Sequence, residues 1–270
     1  MGEEYVFHIR NASPGDMLAA LATLDAYPGT PSIAEIVARA QRLGFVIRDQ
    51  QRLEALMTAR DLGLVERDDN ILTADGRVLV QIEMAKPDLF VDLVHGLQYV
   101  LWDKQNPGAD CFSWSYRVLC QILWQGGNTD LEDRRALAAA VEGRARSTFG
   151  RPEISFSPKS VGGAILWLSE LSPPVLEGAH FARRSFCPPE LFVLALDFVY
   201  RSDEIDYGAN LRLTEERRDE VCQVCLLDPR GFDRVLDYAQ AQFDFLERGV
   251  GGGWGRYIAL QRPPRLEDFL

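Results

Sequence analysis

The feature that most constrains this chain is a pattern of helices followed by a short β-hairpin, which occurs three times along the sequence. Typical helix-start residues, among them Ser32, Ser157 and Thr214, precede runs in which apolar residues are spaced three and four apart. Short alternating segments around a polar or glycine-rich turn then indicate a hairpin. The chain is therefore predicted to be mainly α-helical, with small β-hairpins as its only sheet structure.

The clearest copy of this pattern covers residues 11–86. Asp16 and Ser32 are expected to cap its first two helices, and a third helix is predicted over 49–62. A hairpin with the polar turn Asp68-Asp69-Asn70 follows. The residues predicted to form one core in this unit are Leu18, Leu21, Ile36, Leu53, Leu56 and Leu64.

The passage from this third helix into the hairpin carries a family resemblance. It runs Asp61-Leu62-Gly63-Leu64-Val65-Glu66-Arg67 and continues, after the polar turn, with Leu72-Thr73-Ala74-Asp75-Gly76. This sequence resembles the passage from the third helix to the wing in the winged helix-turn-helix superfamily. The resemblance implies a third helix that enters the major groove of DNA and a hairpin wing that contacts phosphates or the minor groove. The whole chain is accordingly predicted to be a tandem array of winged helix-turn-helix domains.

A looser second copy covers residues 111–186, after a connecting helix or linker predicted at 87–110. Asp130 is expected to cap its second helix, and a short strand is predicted at 153–156. Ser157, followed by a proline, is expected to open its third helix.

The small wing of this second copy is predicted at 175–181, immediately before two consecutive arginines. The third copy covers residues 187–270, with a first helix from Glu190 and a second helix capped by Thr214. Its wing is predicted around the glycine-rich stretch 249–255, where Trp254 is expected to be exposed for contact.

Charge is distributed unevenly along the chain. The net charge is −11, but residues 134–184 carry eight basic and four acidic side chains, which leaves this segment at +4 and the rest at −15. This strongly negative net charge argues against a surface that is basic throughout and binds nucleic acid everywhere, although it is compatible with one local basic patch. Both flanking units would repel phosphate and are expected to contact protein instead.

Phosphate contacts are therefore predicted chiefly in the middle unit. The start of its third helix combines two hydroxyls, one lysine and free backbone N–H groups at the positive end of a helix dipole. Gly162-Gly163 leaves room for a sugar-phosphate backbone, although small residues serve helix packing equally well. The alternative for the basic side chains is a solvated face or a surface for an acidic protein. The residues predicted to bind nucleic acid are Arg144, Arg146, Arg151, Ser157, Lys159, Ser160, Arg183 and Arg184, with Arg48, Gln51 and Arg52 of the first unit as secondary candidates.

No catalytic residue, metal site or cofactor is predicted. Cys222 and Cys225 have the spacing of half a zinc site, but no second pair completes four ligands, so both are interpreted as core thiols. The three histidines lie far apart, and none neighbours a serine or cysteine nucleophile. The glycine-rich stretch lacks the Lys-Ser/Thr that completes a phosphate-binding loop.

The predicted function is that of a non-enzymatic protein that binds duplex DNA through its middle unit. The alternative is an acidic scaffold, similar to the tandem winged-helix subunits of bacterial chromosome-organising or phage-defence assemblies. Such a scaffold would bind other subunits, or a second copy of itself, through its acidic N- and C-terminal units. A cytoplasmic protein without a membrane span is expected, because no long uninterrupted apolar run occurs and the N-terminus is acidic. The two functions differ in whether the basic segment forms one continuous face.

Overall fold

The computed structural model describes residues 6–29, 32–50, 53–127, 129–253 and 255–270. Within these ranges the chain is mainly helical and contains two small three-stranded antiparallel sheets, as the sequence predicts. No helix in the described part of the chain is both long and apolar enough to span a bilayer.

Four helices form the N-terminal part of the chain. Ser32 caps the second helix as predicted, whereas the first is capped by Ser13, whose hydroxyl accepts a hydrogen bond from the Asp16 backbone N–H. The buried Asp16 carboxylate instead accepts hydrogen bonds from the backbone N–H groups of Arg48 and Asp49. The predicted Asp16 cap is wrong because a tertiary contact uses that side chain. The helices are α1 (Pro14–Ala26), α2 (Ile33–Arg42), α3 (Glu54–Asp61) and α4 (Ala74–Ala85).

The hairpin predicted for this part is reduced to one antiparallel bridge between Val65 and Leu72. The third helix is also shorter than the predicted 49–62, because Leu53 has a left-handed φ of +45° that an α-helix cannot include. Most of the predicted core is confirmed: Leu18 is partly buried, and the fully buried positions are Leu21, Ile36, Leu53, Leu56 and Leu64.

The middle of the chain contains four helices and a small sheet of three strands. In this sheet the first strand pairs with the third, and the third pairs with the second. The helix Arg134–Phe149 is capped by Asp133 and not by Asp130 as predicted. The Asp133 side chain accepts hydrogen bonds from two backbone N–H groups of the first turn. The elements are α5 (Phe90–Val100), α6 (Cys111–Gly126), β1 (Thr129–Asp130), α7 (Arg134–Phe149), α8 (Pro158–Leu168), β2 (Leu176–Glu177) and β3 (His180–Phe181), and a 3-10 turn at Pro87–Leu89 precedes them.

The strand predicted at 153–156 is absent, and this described segment is a loop. Side chains of α7 satisfy its backbone instead: Glu142 accepts from the Phe156 N–H at 3.0 Å, and Arg146 donates to the Ile154 carbonyl at 2.9 Å. The predicted hairpin at 175–181 is confirmed as β2 and β3.

The connecting helix expected within 87–110 is α5, and it lies in the protein core. Nine of its eleven residues are buried, and it packs against α6, α9 (Pro189–Ser202) and α10 (Glu215–Cys225). One continuous cluster of buried apolar side chains extends from the N-terminal part of the chain to its C-terminal part.

The C-terminal part repeats the order of elements found in the middle. There, α6-β1-α7-α8-β2-β3 run in sequence, and here a helix, a strand, two helices and two strands follow one another again. In both sheets the first strand pairs with the third and the third with the second. The predicted glycine-rich wing is confirmed as the hairpin β5–β6, although Trp254 at its tip lies outside the described residues. The elements are α9 (Pro189–Ser202), β4 (Leu211–Arg212), α10 (Glu215–Cys225), α11 (Phe232–Gln242), β5 (Leu246–Gly251) and β6 (Gly255–Leu260), with 3-10 turns at Pro229–Gly231 and Leu266–Phe269.

Candidate nucleic-acid interface

In the N-terminal part, the helix that the sequence predicts to enter a DNA groove corresponds to α3. Every residue of α3 is buried or only partly exposed. Arg10, in the segment ahead of α1, forms ion pairs with Glu54 at 3.5 Å and Asp61 at 2.9 Å. Since α3 offers no fully exposed side chain, it lacks the free face that base recognition requires.

The corresponding helix of the middle part, α8, is covered by the same N-terminal segment. A Cβ added at Gly163 would collide with the carbonyl oxygen of Arg10, so this glycine allows the chain's own backbone to pack closely. Over Gly162 lies the guanidinium of Arg134, 3.3 Å from where a Cβ would be. Gly163 therefore serves internal packing, whereas Gly162 is partly exposed beneath the end of the Arg134 side chain.

The N-terminus of α8 is only partly available to an anion. Ser157 is exposed but caps the helix, and its hydroxyl accepts from the Ser160 N–H at 3.3 Å. The Ser160 side chain is buried and forms a 2.6 Å hydrogen bond with His8 Nδ1, so it points away from solvent. Burial, followed by the charge of Lys159, lowers the pKa of His8. Lys159 is the one charged residue predicted at this helix start, and it is exposed.

Two of the predicted arginines, Arg183 and Arg144, bind residues at the C-terminal end of α6. Arg183 donates to the Trp124 carbonyl at 2.8 Å, and its guanidinium lies 4.3 Å from the centroid of the Trp124 ring. Arg144 donates to the Gln125 side chain at 3.1 Å. Cations are favoured at this negative end of the helix dipole.

Arg146 lies on another side of α7. Two residues apart on an α-helix, the side chains of Arg144 and Arg146 diverge by about 200°. Arg146 forms an ion pair with Glu142 at 2.8 Å and also binds the Ile154 carbonyl. The partly exposed Arg151 follows the end of α7. The basic segment is therefore distributed over several surfaces and forms no single face.

Arg184 lies in the core, which corrects its assignment to a phosphate-binding surface. Its guanidinium forms a 2.7 Å ion pair with Asp92, and neither side chain is exposed to solvent. Arg184 also donates to the carbonyls of Cys225 at 2.7 Å and Ser172 at 3.2 Å. Burial alone would lower its pKa, but the Asp92 carboxylate raises the pKa of Arg184 above its ordinary value.

The secondary candidates of the first unit give little support to a DNA surface. Arg48 is exposed, and its backbone N–H is bound by Asp16. Gln51 and Arg52 lie outside the described residues.

In the C-terminal part, α11 carries acidic side chains that neutralise the arginines of the wing. Asp233 accepts two hydrogen bonds from Arg256, at 2.7 and 3.1 Å, and Asp237 pairs with Arg248. The hydrogen bond from Arg256 holds the pKa of Asp233 below its usual value. This wing therefore has few positive charges left for phosphate.

The predicted core position of Cys222 and Cys225 is confirmed, since both thiols are buried and free. Among the described residues, no three or more His, Cys, Asp or Glu side chains are grouped as metal ligands. His95 is fully buried between Tyr116 and the Val224 carbonyl, each 2.8 Å away, and burial lowers its pKa to about 3.

Comparisons with protein-family models, with curated proteins and with solved structures find no match to this chain.

Proposed function

We propose that this chain is a non-enzymatic tandem winged-helix protein that holds other protein subunits together and does not recognise DNA bases through its third helices. The winged-helix assignment is supported by the repeated order helix, strand, helix, helix, strand, strand, and by the shared strand order of the two sheets. In that order, α8 and α11 correspond to the helices that enter a DNA groove in DNA-binding members of the superfamily.

One observation carries the proposal: none of the described third helices offers an exposed basic face. The helix α3 has no fully exposed residue, and α8 is covered beyond its first turn. The helix α11 is exposed but carries Asp233 and Asp237. Direct readout needs side chains that reach base edges in the major groove, and phosphate repels carboxylates.

The surface that favours a protein partner is the α11 wing face, which we define as the exposed side of α11 together with the hairpin β5–β6. Tyr238 on α11 is 57% exposed, and Val250 near the hairpin tip is 79% exposed. The charged side chains around them form ion pairs within the chain. Exposed aromatic and aliphatic side chains in such surroundings are typical of protein interfaces, whose centres contain fewer charged residues and more tyrosine than the rest of the surface.

Gel retardation with labelled duplexes of several sequences, over a series of salt concentrations, tests the first half of the proposal. We expect at most non-specific binding, with Kd of about 10⁻⁴ to 10⁻⁶ M and no sequence preference. Nanomolar binding to one sequence would contradict it.

Cross-linking mass spectrometry of the native complex, purified from the source cells, tests the second half. We expect inter-protein cross-links on the α11 wing face, and we expect Tyr238→Glu to abolish them. Met84→Glu is the matched control, because Met84 is 81% exposed on a different helix. Equal loss with both variants, or cross-links confined to other surfaces, would contradict the proposed interface.

A second candidate is sequence-independent phosphate binding by the middle unit. The observation in its favour is that several exposed or partly exposed cations there form no ion pair with a described residue: Arg134, Arg135, Arg144, Lys159 and Arg183.

Replacing Arg144, Lys159 and Arg183 together by Gln tests this candidate. If it is correct, affinity falls about equally for all sequences, and the salt slope decreases by roughly 0.9 for each lost phosphate contact. The control replaces Arg48, Arg52 and Arg60 in the same way and is expected to have a smaller effect. Absence of any affinity at low salt would leave the protein-binding function as the better account.

A further inference from the structure

A cleft of about 450 Å³ opens between the loop after α5 and the C-terminal end of α9. Its volume is within the range of small-molecule sites, and aromatic and charged side chains line it together. Its lining includes Trp102, Lys104, Arg117, Phe198 and Ser202.

The cleft contains a nearly buried guanidinium. Arg117 projects from α6 and is 8% exposed. It donates to the Tyr99 carbonyl at 3.0 Å and to the Trp102 carbonyl at 2.8 Å. The rings of Phe198 and Trp102 lie 4.6 and 5.3 Å from its central carbon, so aromatic faces enclose the cation.

This cation has no carboxylate partner among the described residues. Arg184, the other deeply buried arginine, pairs directly with Asp92, whereas no acidic side chain in the described chain contacts Arg117. Burial lowers the pKa of Arg117 to about 10, which keeps the group positive at neutral pH. Asp103 and Glu220 attract Arg117 only at longer range, without an ion pair. A buried charge without a directly paired counter-charge is unfavourable, and an anion entering the cleft would supply that direct partner.

We propose that this cleft binds a small carboxylate with a planar apolar body, whose carboxylate pairs with Arg117. The aromatic lining accommodates the apolar body. Lys104 adds a positive charge to the lining, whereas the charge of Arg201, which also lines the cleft, is paired with Asp197. Asp103, Glu204 and Asp206 also line the cleft and would oppose a dianion, so a monovalent carboxylate is preferred to a phosphate.

Benzoate is the probe, and isothermal titration calorimetry of the full chain is the measurement. We expect saturable binding at one site, with benzamide and inorganic phosphate binding at least tenfold more weakly. Benzamide has the same shape as benzoate without the charge, and phosphate has the charge without the apolar body. No saturable benzoate binding, or equal binding of benzamide, would overturn the proposal.

A cleft-filling variant locates the site, because replacing Arg117 would also release two carbonyls and disturb the fold. Ser202→Trp places an indole in the cleft and leaves Arg117 intact. Ser169→Trp, at the end of α8, is the matched control. We expect the first variant to weaken benzoate binding at least tenfold and the control to leave it unchanged, with both retaining the wild-type circular dichroism spectrum. Unchanged benzoate binding in a folded Ser202→Trp protein would place the benzoate elsewhere and overturn the proposal.

Discussion

At the scale of single residues, Arg183 and Arg184 are neighbours in sequence with different physical roles. Arg183 lies against Trp124 and is partly exposed, whereas Arg184 is sealed in the core with Asp92. From the sequence, both are predicted to lie on one surface, because nothing in two adjacent arginines after a hairpin shows which of them is buried. The distinguishing partner, Asp92, lies on α5 and is remote in sequence.

Arg184→Gln is expected to lower the free energy of unfolding by about 3–5 kcal/mol, since it leaves the Asp92 carboxylate buried without its counter-charge. Urea denaturation measures the loss. Arg183→Gln is the control and should change stability by no more than about 1 kcal/mol. Combining Arg184→Gln with Asp92→Asn should recover much of the loss, and a similar effect of both arginine variants would contradict this account.

At the scale of elements, local signals predicted helix starts well and failed where tertiary contacts intervened. Ser32, Ser157 and Thr214 cap their helices as expected, because a capping hydroxyl needs only the next turn of the chain. Asp16 was predicted as a cap but binds a loop that is remote in sequence. The predicted strand at 153–156 also failed, since the side chains that hold this loop come from α7.

Gly163→Ala is expected to destabilise the protein by more than 1 kcal/mol, because the added methyl group would collide with the Arg10 carbonyl. Gly143→Ala in the neighbouring helix α7 is the matched control. A Cβ at Gly143 meets nothing within 4 Å, so this substitution should be neutral or stabilise the protein by up to about 1 kcal/mol. Thermal denaturation followed by circular dichroism compares the two. Equal effects would mean that the N-terminal segment does not pack on α8.

At the scale of the whole molecule, the sequence predicts the helices and hairpins of the middle and C-terminal parts but not how the parts of the chain pack together. The segment expected to connect two units is the buried helix α5, and His95 on it binds both Tyr116 of α6 and the Val224 carbonyl of α10. The sequence analysis does not identify Arg117, which forms no ion pair with a described carboxylate, as a site residue. The signal that identifies it is an arginine within the apolar sequence of α6. Contacts between parts of the chain follow no local periodicity.

The buried His95 predicts how stability depends on pH. Its pKa is lowered from 6.5 to about 3 in the folded protein, so between these values the unfolded chain binds the proton more readily. The free energy of unfolding should therefore fall as pH decreases below 6.5, by about 1.4 kcal/mol per pH unit from this group. Urea denaturation from pH 7 to 4 measures it. His95→Gln should reduce the slope, and an unchanged slope would exclude His95 as its source.

The N-terminal segment that covers α3 and α8 has a consequence for synthesis of the chain. His8 and its partner Ser160 are 152 residues apart, so during synthesis His8 cannot form this hydrogen bond until α8 has emerged from the ribosome. During this interval the part of the segment that packs against α8 is exposed to other chains. Chaperone binding to the nascent protein should therefore end when α8 becomes available.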